Sequence, residues 1–380
     1  MSSNSKRGPW RVIVLSVVKH DYIARAFAAH QDFELVAVSE GPGQPNWVHE
    51  RNRQFADEFR IPYQPDWAAA LVQYAPDVAI VSSEAERHVA LSLLAIEAGV
   101  HVVQDKPMAT ELADCDALVS AVAASGMQFM MWNRSALPAI RSTHDLIRSG
   151  RLGRLQQVHV DFYFAKDAGP PLGSVGPNHT PVVWLEALKA AHATGADGSV
   201  GQRPMGELEC EGIYPLAYVL LLTGERFVRV YAHAKAHFHQ LHADHHVDDL
   251  AAMTLEMTRG VRATVCLGRI GNASHPDLGE IKLHVIGDNS SCVVRESAPE
   301  VAIDYRNRTA FQFRHQRLQN DNDWLLAELF SRALKEGSPA DTNSAPATAL
   351  LNAEDSRHIF AAIAAAQASA RSRTAVQVGA

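Results

Sequence analysis

Apolar runs of strand length alternate with amphipathic stretches over the first third of the chain. The strand-like runs are WRVIVLSV, FELVAVSE, IPYQ, DVAIVSS, VHVVQ and MQFMMWN. The stretches that predict helices between them are IARAFAAH, HERNRQFADEF, WAAALVQY, HVALSLLAIEAG and ELADCDALVSAVAASG. Strands that alternate with helices imply a parallel sheet with right-handed crossovers. The pattern therefore predicts an α/β domain with a doubly wound parallel sheet over residues 1–133.

The pattern changes after Asn133. One helix, PAIRSTHDLIRSGRLG, is followed by runs with strand-like alternation, which are LQQVHVDFYF, FVRVYAHAKAHFH, LAAMTLEMT, VRATVCLGRI, IKLHVIG and SCVVRES. Consecutive strands without intervening helices predict a large antiparallel or mixed sheet in an α+β domain over residues 134–380. A loop over Ala168–Gly206, with one short helix at Val182–Ala193, interrupts this domain. Two helices close it, DWLLAELFSRALKEG and AEDSRHIFAAIAAAQASA.

Composition and charge narrow the class of protein. The formal net charge is −7, and no run of Lys or Arg provides the basic patch that nucleic-acid binding requires. No apolar stretch reaches the roughly 18 residues of a membrane-spanning helix. Four widely spaced cysteines, and an amino terminus without the apolar core of a signal peptide, predict a cytoplasmic protein. We therefore expect a small-molecule ligand, and neither nucleic acid nor a membrane as a partner.

The tripeptide Asp105-Lys106-Pro107 is the most informative local feature. It follows the apolar strand VHVVQ, and Pro107 prevents the strand from continuing because it has no N–H group to donate. Lys106 is therefore expected at a carboxyl end of the parallel sheet, where open α/β sheets bind their ligands. The alternative is an ordinary surface lysine after a strand, which has about equal weight when the tripeptide is taken alone.

The turn after the first strand departs from the dinucleotide-binding pattern G-x-G-x-x-G. Its sequence is SVVKHDY, and the three glycine places are taken by Ser16, Val18 and Asp21. The carboxylate of Asp21 would repel a diphosphate, whereas Lys19 or His20 could attract one. A purely structural interpretation is open as well, with Asp21 capping a helix that starts at Ile23.

Glu40 ends the second strand, about twenty residues after this turn. In dinucleotide-binding domains, an acid at that place accepts a hydrogen bond from the ribose 2′-hydroxyl of NAD. Glu40 therefore favours NAD over NADP if either cofactor binds.

The stretch from Pro76 to Gly126 resembles the Gfo/Idh/MocA oxidoreductase family, which includes glucose-fructose oxidoreductase and inositol dehydrogenase. The family has Glu-Lys-Pro where this chain has Asp105-Lys106-Pro107, and it has a histidine in the place of His88. SGRLG at 149–153, the later LHVIGDNSSCVV and the ending TAVQV extend the resemblance over nearly the whole chain. The resemblance implies a Rossmann domain and a second domain with a large sheet. It also implies a homo-oligomer, a dimer or a tetramer, packed through that sheet.

The same resemblance implies a site for NAD or NADP in the first domain. The residues that it assigns to cofactor binding, together with those of the turn and Glu40, are Ser16, Val18, His20, Asp21, Glu40, Ser83, Glu84, His88, Asp105 and Pro107.

A second family motif, Asp-x-Gly-x-His or Asp-x-Gly-x-Tyr, corresponds to CEGIY at 210–214. The glycine and Tyr214 match, but Cys210 stands in the place of the family's aspartate, and Glu209 or Glu211 is the candidate substitute. The resemblance places Lys106 beside the nicotinamide and the reacting hydroxyl. Tyr214 is then a candidate general acid or base, because a phenol beside an ammonium group has a lowered pKa, although helix packing is its alternative role. The implied catalytic residues are Lys106, Tyr214, Cys210 and Glu211.

Histidines and aspartates are concentrated in the segment HAKAHFHQLHADHHVDD. On a strand, His237 and His239 would share a face and could bind a divalent ion together with a carboxylate. Because the segment lies at a strand-to-loop turn, we favour contacts to the substrate and predict no metal site, with an oligomer contact as a further alternative. Trp132 and Arg134 follow the last strand of the first domain and could line the same crevice or pack between the domains. The predicted substrate contacts are Arg134, His239, His242 and His245.

These features predict an NAD(P)-dependent dehydrogenase or reductase that acts on a hydroxyl or carbonyl group of a sugar, polyol or similar small polar molecule. Two alternatives remain open from the sequence. One is a non-redox lyase, hydratase or hydrolase that uses the histidine-rich segment, with or without a metal ion. The other is a non-catalytic sensor that binds a nucleotide or a sugar.

Overall fold

A computed structural model describes residues 8–164, 205–270, 281–296, 300–305, 313–317, 322–336 and 350–379. The chain divides into two compact units. Among the described residues, the first unit comprises 8–133, 322–336 and 350–360, and the second comprises the others. The predicted loop over Ala168–Gly206 and its helix at Val182–Ala193 lie outside the described residues, apart from Met205 and Gly206.

The described elements follow one another along both units. The strands are β1 (Trp10–Leu15), β2 (Phe33–Ser39), β3 (Tyr63–Gln64), β4 (Val78–Val81), β5 (His101–Gln104), β6 (Phe129–Met131), β7 (Leu155–Phe164), β8 (Phe227–Lys235), β9 (Leu250–Met257), β10 (Arg262–Arg269), β11 (Ile281–Gly287), β12 (Ser290–Arg295), β13 (Glu300–Tyr305), β14 (Phe313–Arg317) and β15 (Val376–Gln377). The helices are α1 (Tyr22–Ala28), α2 (Asn46–Phe59), α3 (Trp67–Tyr74), α4 (Ala85–Glu97), α5 (Leu112–Ser125), α6 (Pro138–Arg148), α7 (Glu207–Glu211), α8 (Ile213–Thr223), α9 (Gln240–Asp244), α10 (Asn322–Glu336) and α11 (Ala353–Ser372). None of these helices is both long enough and apolar enough to cross a membrane.

The first unit is built on a parallel sheet of six strands in the order β3-β2-β1-β4-β5-β6. The central strands β1 and β4 are buried on both faces, as expected where helices cover both sides of a parallel sheet. This arrangement confirms the predicted doubly wound α/β fold. The strand order reverses between β1 and β4, which creates a crevice at the carboxyl ends of these two strands.

The second unit contains a mixed sheet of nine strands in the order β14-β13-β12-β11-β7-β10-β9-β8-β15. Strands β7 and β10 pair in parallel, and the other described neighbours are antiparallel. Helix α8, IYPLAYVLLLT, is apolar on all sides and buried along its whole length, and it packs against β7 and β10. The predicted large mixed or antiparallel sheet is confirmed.

The histidine-rich segment differs from its prediction. Strand β8 ends at Lys235, so His237 and His239 do not share the face of a strand, and that expectation was wrong. The cause is the buried carboxylate of Asp249, which accepts hydrogen bonds from the backbone N–H groups of His237, Phe238 and His239 and so folds them into a turn. Helix α9 follows this turn.

Candidate functional site

Lys106 lies directly beyond the end of β5, where the sequence predicted it. It belongs to a segment that we call the lysine loop, residues 104–108. The buried amide of Gln104 holds this loop, because its Nε2 donates to the carbonyl of Met108 at 2.8 Å while its Oε1 accepts from Ser92 at 2.8 Å. Lys19 Nζ donates to the carbonyl of Lys106 at 3.3 Å. The Lys106 side chain is only 5% exposed, so a rigid backbone presents a buried lysine at the carboxyl edge of the sheet.

Asp105 is fully buried beside this lysine. Its carboxylate lies 2.5 Å from His20 Nδ1, accepts from Tyr22 Oη at 3.3 Å, and accepts from the backbone N–H of Lys106 at 2.7 Å. Burial alone would raise the pKa of Asp105, but the neighbouring His20 and Lys19 hold it well below its usual range. The ionised Asp105 therefore connects the turn after β1 to the lysine loop.

His88, on α4, joins the lysine loop to the segment after β4. Its Nδ1 lies 2.7 Å from the carbonyl oxygen of Pro107, and its Nε2 lies 2.9 Å from that of Ser83. Burial lowers the pKa of His88 to about 4, so the ring is neutral at physiological pH. A neutral ring donates to only one of the two carbonyls at a time. His88 is thus a support for the loop backbone, at a place where its side chain has no exposure.

The turn after β1 keeps a glycine-like backbone without glycine. Ser16 has φ of 74°, a left-handed conformation that glycine adopts most easily. Its Oγ accepts from the N–H of Val18 at 3.3 Å, while the N–H of Val17 donates to Asn52 Oδ1 at 3.0 Å. The N–H of Lys19 donates to the carbonyl of Ser82 at 3.2 Å, across the crevice between β1 and β4. Side-chain and backbone hydrogen bonds therefore hold the turn in place.

Asp21 is turned away from this network. It occupies the position before α1, which starts at Tyr22 rather than at the predicted Ile23, and its side chain makes no capping hydrogen bond. Instead it accepts from Arg25 Nε at 2.9 Å, and Arg25 also binds Glu58. Asp21 therefore does not fill the capping role that the sequence left open, because the guanidinium one helical turn away competes for the carboxylate.

Glu40 and Glu84 share one arginine. Arg87 donates from Nη1 to Glu40 at 2.7 Å and from Nε to Glu84 at 2.6 Å. Glu40 also accepts from the N–H of Gly41 at 2.8 Å and from Asn52 Nδ2 at 3.3 Å. Glu40 thus lies where an acid was predicted to meet ribose, and it already has four donors around it. Sequence reasoning missed Arg87, since 47 residues separate it from Glu40.

Buried polar atoms without hydrogen-bond partners gather at the carboxyl edge of the parallel sheet. In the described part of the first unit, Asn322 Oδ1 and Asp355 Oδ1 lie in other segments, and those at this edge follow β2, β3 and β4 and are Gln44 Oε1, Trp47 Nε1, Trp67 Nε1, Ser82 Oγ and Glu84 Oε1. Both donors and acceptors are present among them. Buried polar groups are normally paired, so this edge fits a polar ligand that offers both kinds of group, as a dinucleotide does.

The second unit brings together Cys210, Glu211 and Tyr214. Cys210 and Glu211 of α7 stand four and three positions before Tyr214 of α8, and the glycine between the two helices has helical φ and ψ, so each lies about one helical turn from Tyr214. Tyr214 is 7% exposed, and its ring packs at 5.7 Å from Phe162 between centroids. The guanidinium of Arg134 lies 6.0 Å from the centre of the Tyr214 ring, within the range of a cation–π contact.

Arg134 is oriented by Glu296. The two side chains form an ion pair, and Tyr218 Oη donates to the other carboxylate oxygen of Glu296 at 2.6 Å. Burial raises the pKa of Tyr218 to about 12, so this phenol keeps its proton and donates. Glu296 and Tyr218 therefore fix the guanidinium above Tyr214, a support that sequence reasoning missed.

His239 and His242 are buried in the second unit beside Glu207 and Arg269, whereas His245 is exposed. Arg269 Nε donates to Glu207 Oε1 at 2.6 Å, and Arg269 Nη2 lies 3.6 Å from Glu211 Oε1. Glu207 was not predicted. Its position three residues before Cys210 and seven before Tyr214 puts it on the same helical face, a spacing that could have identified it.

Among the described residues, one group of side chains has ligand atoms close enough together for a metal ion, His30, Asp32 and Glu328. All of these atoms are already engaged. His30 Nδ1 accepts from the N–H of Asp32 at 3.2 Å, and its Nε2 lies 3.0 Å from Glu328. Asp32 accepts from Ser331 and Lys335, each at 2.6 Å. The nearby ammonium group makes this group a hydrogen-bond network rather than a cation site.

Two family models match the chain. A model described as an oxidoreductase family with an NAD-binding Rossmann fold, GFO_IDH_MocA, matches residues 17–132. A model of the GFO/IDH/MocA C-terminal domain matches residues 205–293. Together they cover more than half of the chain.

Individual proteins are similar to the chain as well. The oxidoreductase YceM of Salmonella typhimurium is 32% identical over 130 residues, which are 33% of this chain and only 40% of the relative. Levoglucosan dehydrogenase, in complex with NADH and levoglucosan, superposes with a TM-score of 0.77 at 17% identity over 98% of this chain and 100% of its own. The aldose-aldose oxidoreductase of Caulobacter crescentus, complexed with glycerol, has a TM-score of 0.71 at 19% identity, over 97% and 99% of the two chains. Both solved structures share the fold.

Proposed function

Since the chain belongs to the Gfo/Idh/MocA oxidoreductase family, we propose that it is an NAD(P)-dependent dehydrogenase or reductase acting on a hydroxyl or carbonyl group of a sugar, polyol or similar small polar molecule. The observation that carries this proposal is Lys106, a buried lysine on a rigid loop at the carboxyl edge of an NAD-binding Rossmann sheet. The unpaired polar atoms at the same edge support a dinucleotide as the ligand.

The cofactor site is proposed at this edge of the first unit. When bound, NAD(P) supplies the group that accepts or donates the hydride. The proposed contacts come from the turn after β1, the end of β2, the segment after β4 and the lysine loop, and they are Ser16, Val18, His20, Asp21, Glu40, Ser83, Glu84, His88, Asp105 and Pro107. Glu40 and Glu84 share the single positive charge of Arg87, so this corner keeps an excess of negative charge. A 2′-phosphate is disfavoured there, and NAD is the proposed cofactor.

Lys106 and Tyr214 are the proposed proton-handling residues. Lys106 orients the reacting oxygen and stabilises negative charge on it, and Tyr214 exchanges a proton with that oxygen. Cys210 stands where the family has an aspartate. Glu211, the next residue, is an acid three positions before Tyr214 and is the proposed replacement for its charge.

The substrate contacts are proposed in the second unit, from Arg134, His239, His242 and His245. The printed names of the two solved relatives, a levoglucosan and an aldose-aldose enzyme, support a sugar-like substrate.

We further propose that the chain forms a homo-oligomer, a dimer or tetramer, through the face of the nine-stranded sheet opposite α8. Light scattering coupled to size-exclusion chromatography tests this. The cysteines form no disulfide among the described residues, which suits a reducing cytoplasm as the location of the protein.

The test is equilibrium binding of NADH and NADPH by fluorescence, followed by turnover assays on a panel of sugars and polyols. We expect tighter binding of NADH and cofactor-dependent oxidation of at least one polyol. Lys106→Ala should lower turnover by about 10²–10⁴-fold while NADH still binds. Lys235→Ala, which removes an exposed lysine from the end of β8, is the control and should leave turnover unchanged.

Three outcomes contradict parts of this proposal. If neither nucleotide binds while a divalent ion raises the melting temperature, a non-redox enzyme is correct. If a nucleotide binds but no substrate turns over, the chain is a sensor. If Lys106→Ala turns over as fast as wild type, the role given to this lysine is wrong.

A further inference from the structure

A cavity of about 530 Å³ lies within the second unit, between the start of α7, the end of β8, the segment before β9 and the carboxyl-terminal end of α11. This is the size of a small-molecule pocket. Four alanines and a valine form much of its wall. We call it the charged cavity, because the residues with ionisable side chains that line it are Glu209, Lys235, His246, Asp248 and Arg371.

The charged cavity is separate from the residues proposed for the reaction. None of the side chains assigned to the cofactor, to proton transfer or to the substrate lines it. On α7, Glu209 is two positions after Glu207, so the two side chains leave opposite sides of the helix. Glu207 pairs with Arg269, whereas Glu209 lines the cavity.

Two carboxylates give one part of the cavity a negative charge. Glu209 is 3% exposed, and its Oε2 accepts from Gln367 Nε2 over a long 3.4 Å. The Asp248 carboxylate accepts from the N–H of Leu208 at 2.8 Å and has no ion pair among the described residues. Burial raises the pKa of Asp248 to about 6, so its charge at neutral pH is poorly stabilised. A positive group in the cavity would stabilise it.

Two cations line the same cavity without neutralising these acids. Lys235, at the end of β8, and Arg371, in the last turn of α11, are both exposed. Neither forms an ion pair with a carboxylate in the part of the chain that the structure describes. Both side chains carry a full positive charge at neutral pH. The cavity therefore presents charges of both signs that are not paired with each other.

A ligand with a single charge suits only one part of this lining. An anion would face the two carboxylates, and an amine would face Lys235 and Arg371, each with a charge of its own sign. A metal ion does not fit, because His30, Asp32 and Glu328 form the one group of described residues whose ligand atoms lie close enough together. A molecule with one ammonium and one carboxylate group forms charge-assisted hydrogen bonds with both parts.

We propose that the charged cavity binds an α-amino acid in its zwitterionic form. The ammonium group donates to Asp248 and Glu209, the carboxylate accepts from Lys235 and Arg371, and an apolar side chain contacts the alanines. This inference goes beyond the proposed function and does not rest on it, since it uses only residues of the second unit.

The test is isothermal titration calorimetry on the full chain, without NADH, using L-alanine, L-valine and L-leucine. We expect at least one of them to bind. Matched compounds that lack one charge should each bind at least about tenfold more weakly than the parent amino acid. For L-leucine these compounds are 4-methylpentanoate, which lacks the ammonium group, and 3-methylbutylamine, which lacks the carboxylate.

Asp248→Asn removes one negative charge and keeps an oxygen for the N–H of Leu208. It should weaken binding of the amino acid by about tenfold and leave the affinity for the compound without an ammonium group undiminished. Asp244→Asn is the matched control, because Asp244 is exposed on α9 and does not line the cavity. Its affinity for the amino acid should stay within about twofold of wild type.

Arg371→Gln tests the opposite end of the ligand and covers the case in which Asp248→Asn does not fold, since Arg371 is exposed. It should weaken the amino acid and the compound without an ammonium group by about tenfold each, and leave the amine unaffected. Arg373→Gln is the control, because Arg373 is also exposed but does not line the cavity.

Four results would overturn the proposal. They are failure of all three amino acids to bind, equal affinity for a compound that lacks one charge, wild-type affinity in both Asp248→Asn and Arg371→Gln, and binding of inorganic phosphate or putrescine but of no amino acid. Failure of the proposed function looks different. In that case the amino acid binds and both variants weaken it, but NADH neither binds nor is formed.

Discussion

In both units one arginine faces two carboxylates, but the burial of these carboxylates differs. At the carboxyl edge of the first unit, Arg87 pairs with two carboxylates that are both buried. At α7 in the second unit, Arg269 pairs with the buried Glu207 and lies 3.6 Å from Glu211, which is partly exposed. Water screens the charge of Glu211, whereas it does not reach the two charges at the edge. The edge therefore depends more strongly on its arginine.

Replacing Arg87 is expected to have the largest effect on stability, because it removes the positive charge from the edge of the first unit. It compensates two carboxylates, Glu40 and Glu84, that are 0 and 2% exposed. Arg87→Gln leaves both buried charges without their arginine, and we expect the free energy of unfolding to fall by about 3–5 kcal/mol in equilibrium urea experiments.

Two further variants sharpen this prediction. Adding Glu84→Gln to Arg87→Gln should recover part of the loss, because one of the stranded charges is removed. Arg229→Gln is the control, since Arg229 pairs with Glu256 on the exposed surface of β8 and β9 and should cost about 0–1 kcal/mol. An equal cost for Arg87→Gln and Arg229→Gln would show that the edge does not depend on its paired charges.

His88 predicts a pH dependence for the first unit. Its pKa is about 4 in the folded chain and about 6.5 in the unfolded chain, so the unfolded chain binds more protons between these values. Stability from the neutral ring is fully present above pH 6.5 and is lost as the pH falls through this window towards 4. The loss amounts to about 3 kcal/mol.

Urea unfolding of wild type and His88→Gln at pH 7, 5.5 and 4 measures this effect. The stability difference between the two proteins should shrink by about 3 kcal/mol as the pH falls across the range. His245→Gln, at an exposed position, should keep the pH dependence of wild type. Parallel pH profiles for wild type and His88→Gln would mean that the buried ring does not titrate in this way.

Sequence patterns predicted the strands and helices of both regions better than they predicted the contacts between side chains. Period and length identified β1 to β12, and the proline after Lys106 placed that lysine at a strand end. The short strands β13, β14 and β15 were missed. The partners Arg87 and Glu40 come from different crossovers of the sheet, and Glu207 meets Arg269 only because β10 ends beside α7. Such pairings depend on tertiary packing, and the spacing of apolar residues along the chain does not predict them.

Gly206 carries the smallest predicted effect and tests how the start of α7 is anchored. The Asp248 carboxylate accepts from the N–H of Leu208 at 2.8 Å, and its backbone carbonyl accepts from the N–H of Glu207 at 2.9 Å, so it anchors the start of α7. A Cβ at position 206 would lie 2.1 Å from Asp248 Oδ1 and 2.8 Å from its backbone nitrogen. A flexible carboxylate could move aside, but the backbone nitrogen cannot do so without displacing the strand that follows it.

Gly206→Ala should therefore lower the free energy of unfolding by about 1–3 kcal/mol in equilibrium urea experiments, because the start of α7 is displaced from Asp248. Gly43→Ala is the matched control, since a Cβ there meets no atom within 4 Å and its effect should stay within about 0.5 kcal/mol. Equal stability of Gly206→Ala and Gly43→Ala would show that the start of α7 tolerates the added Cβ.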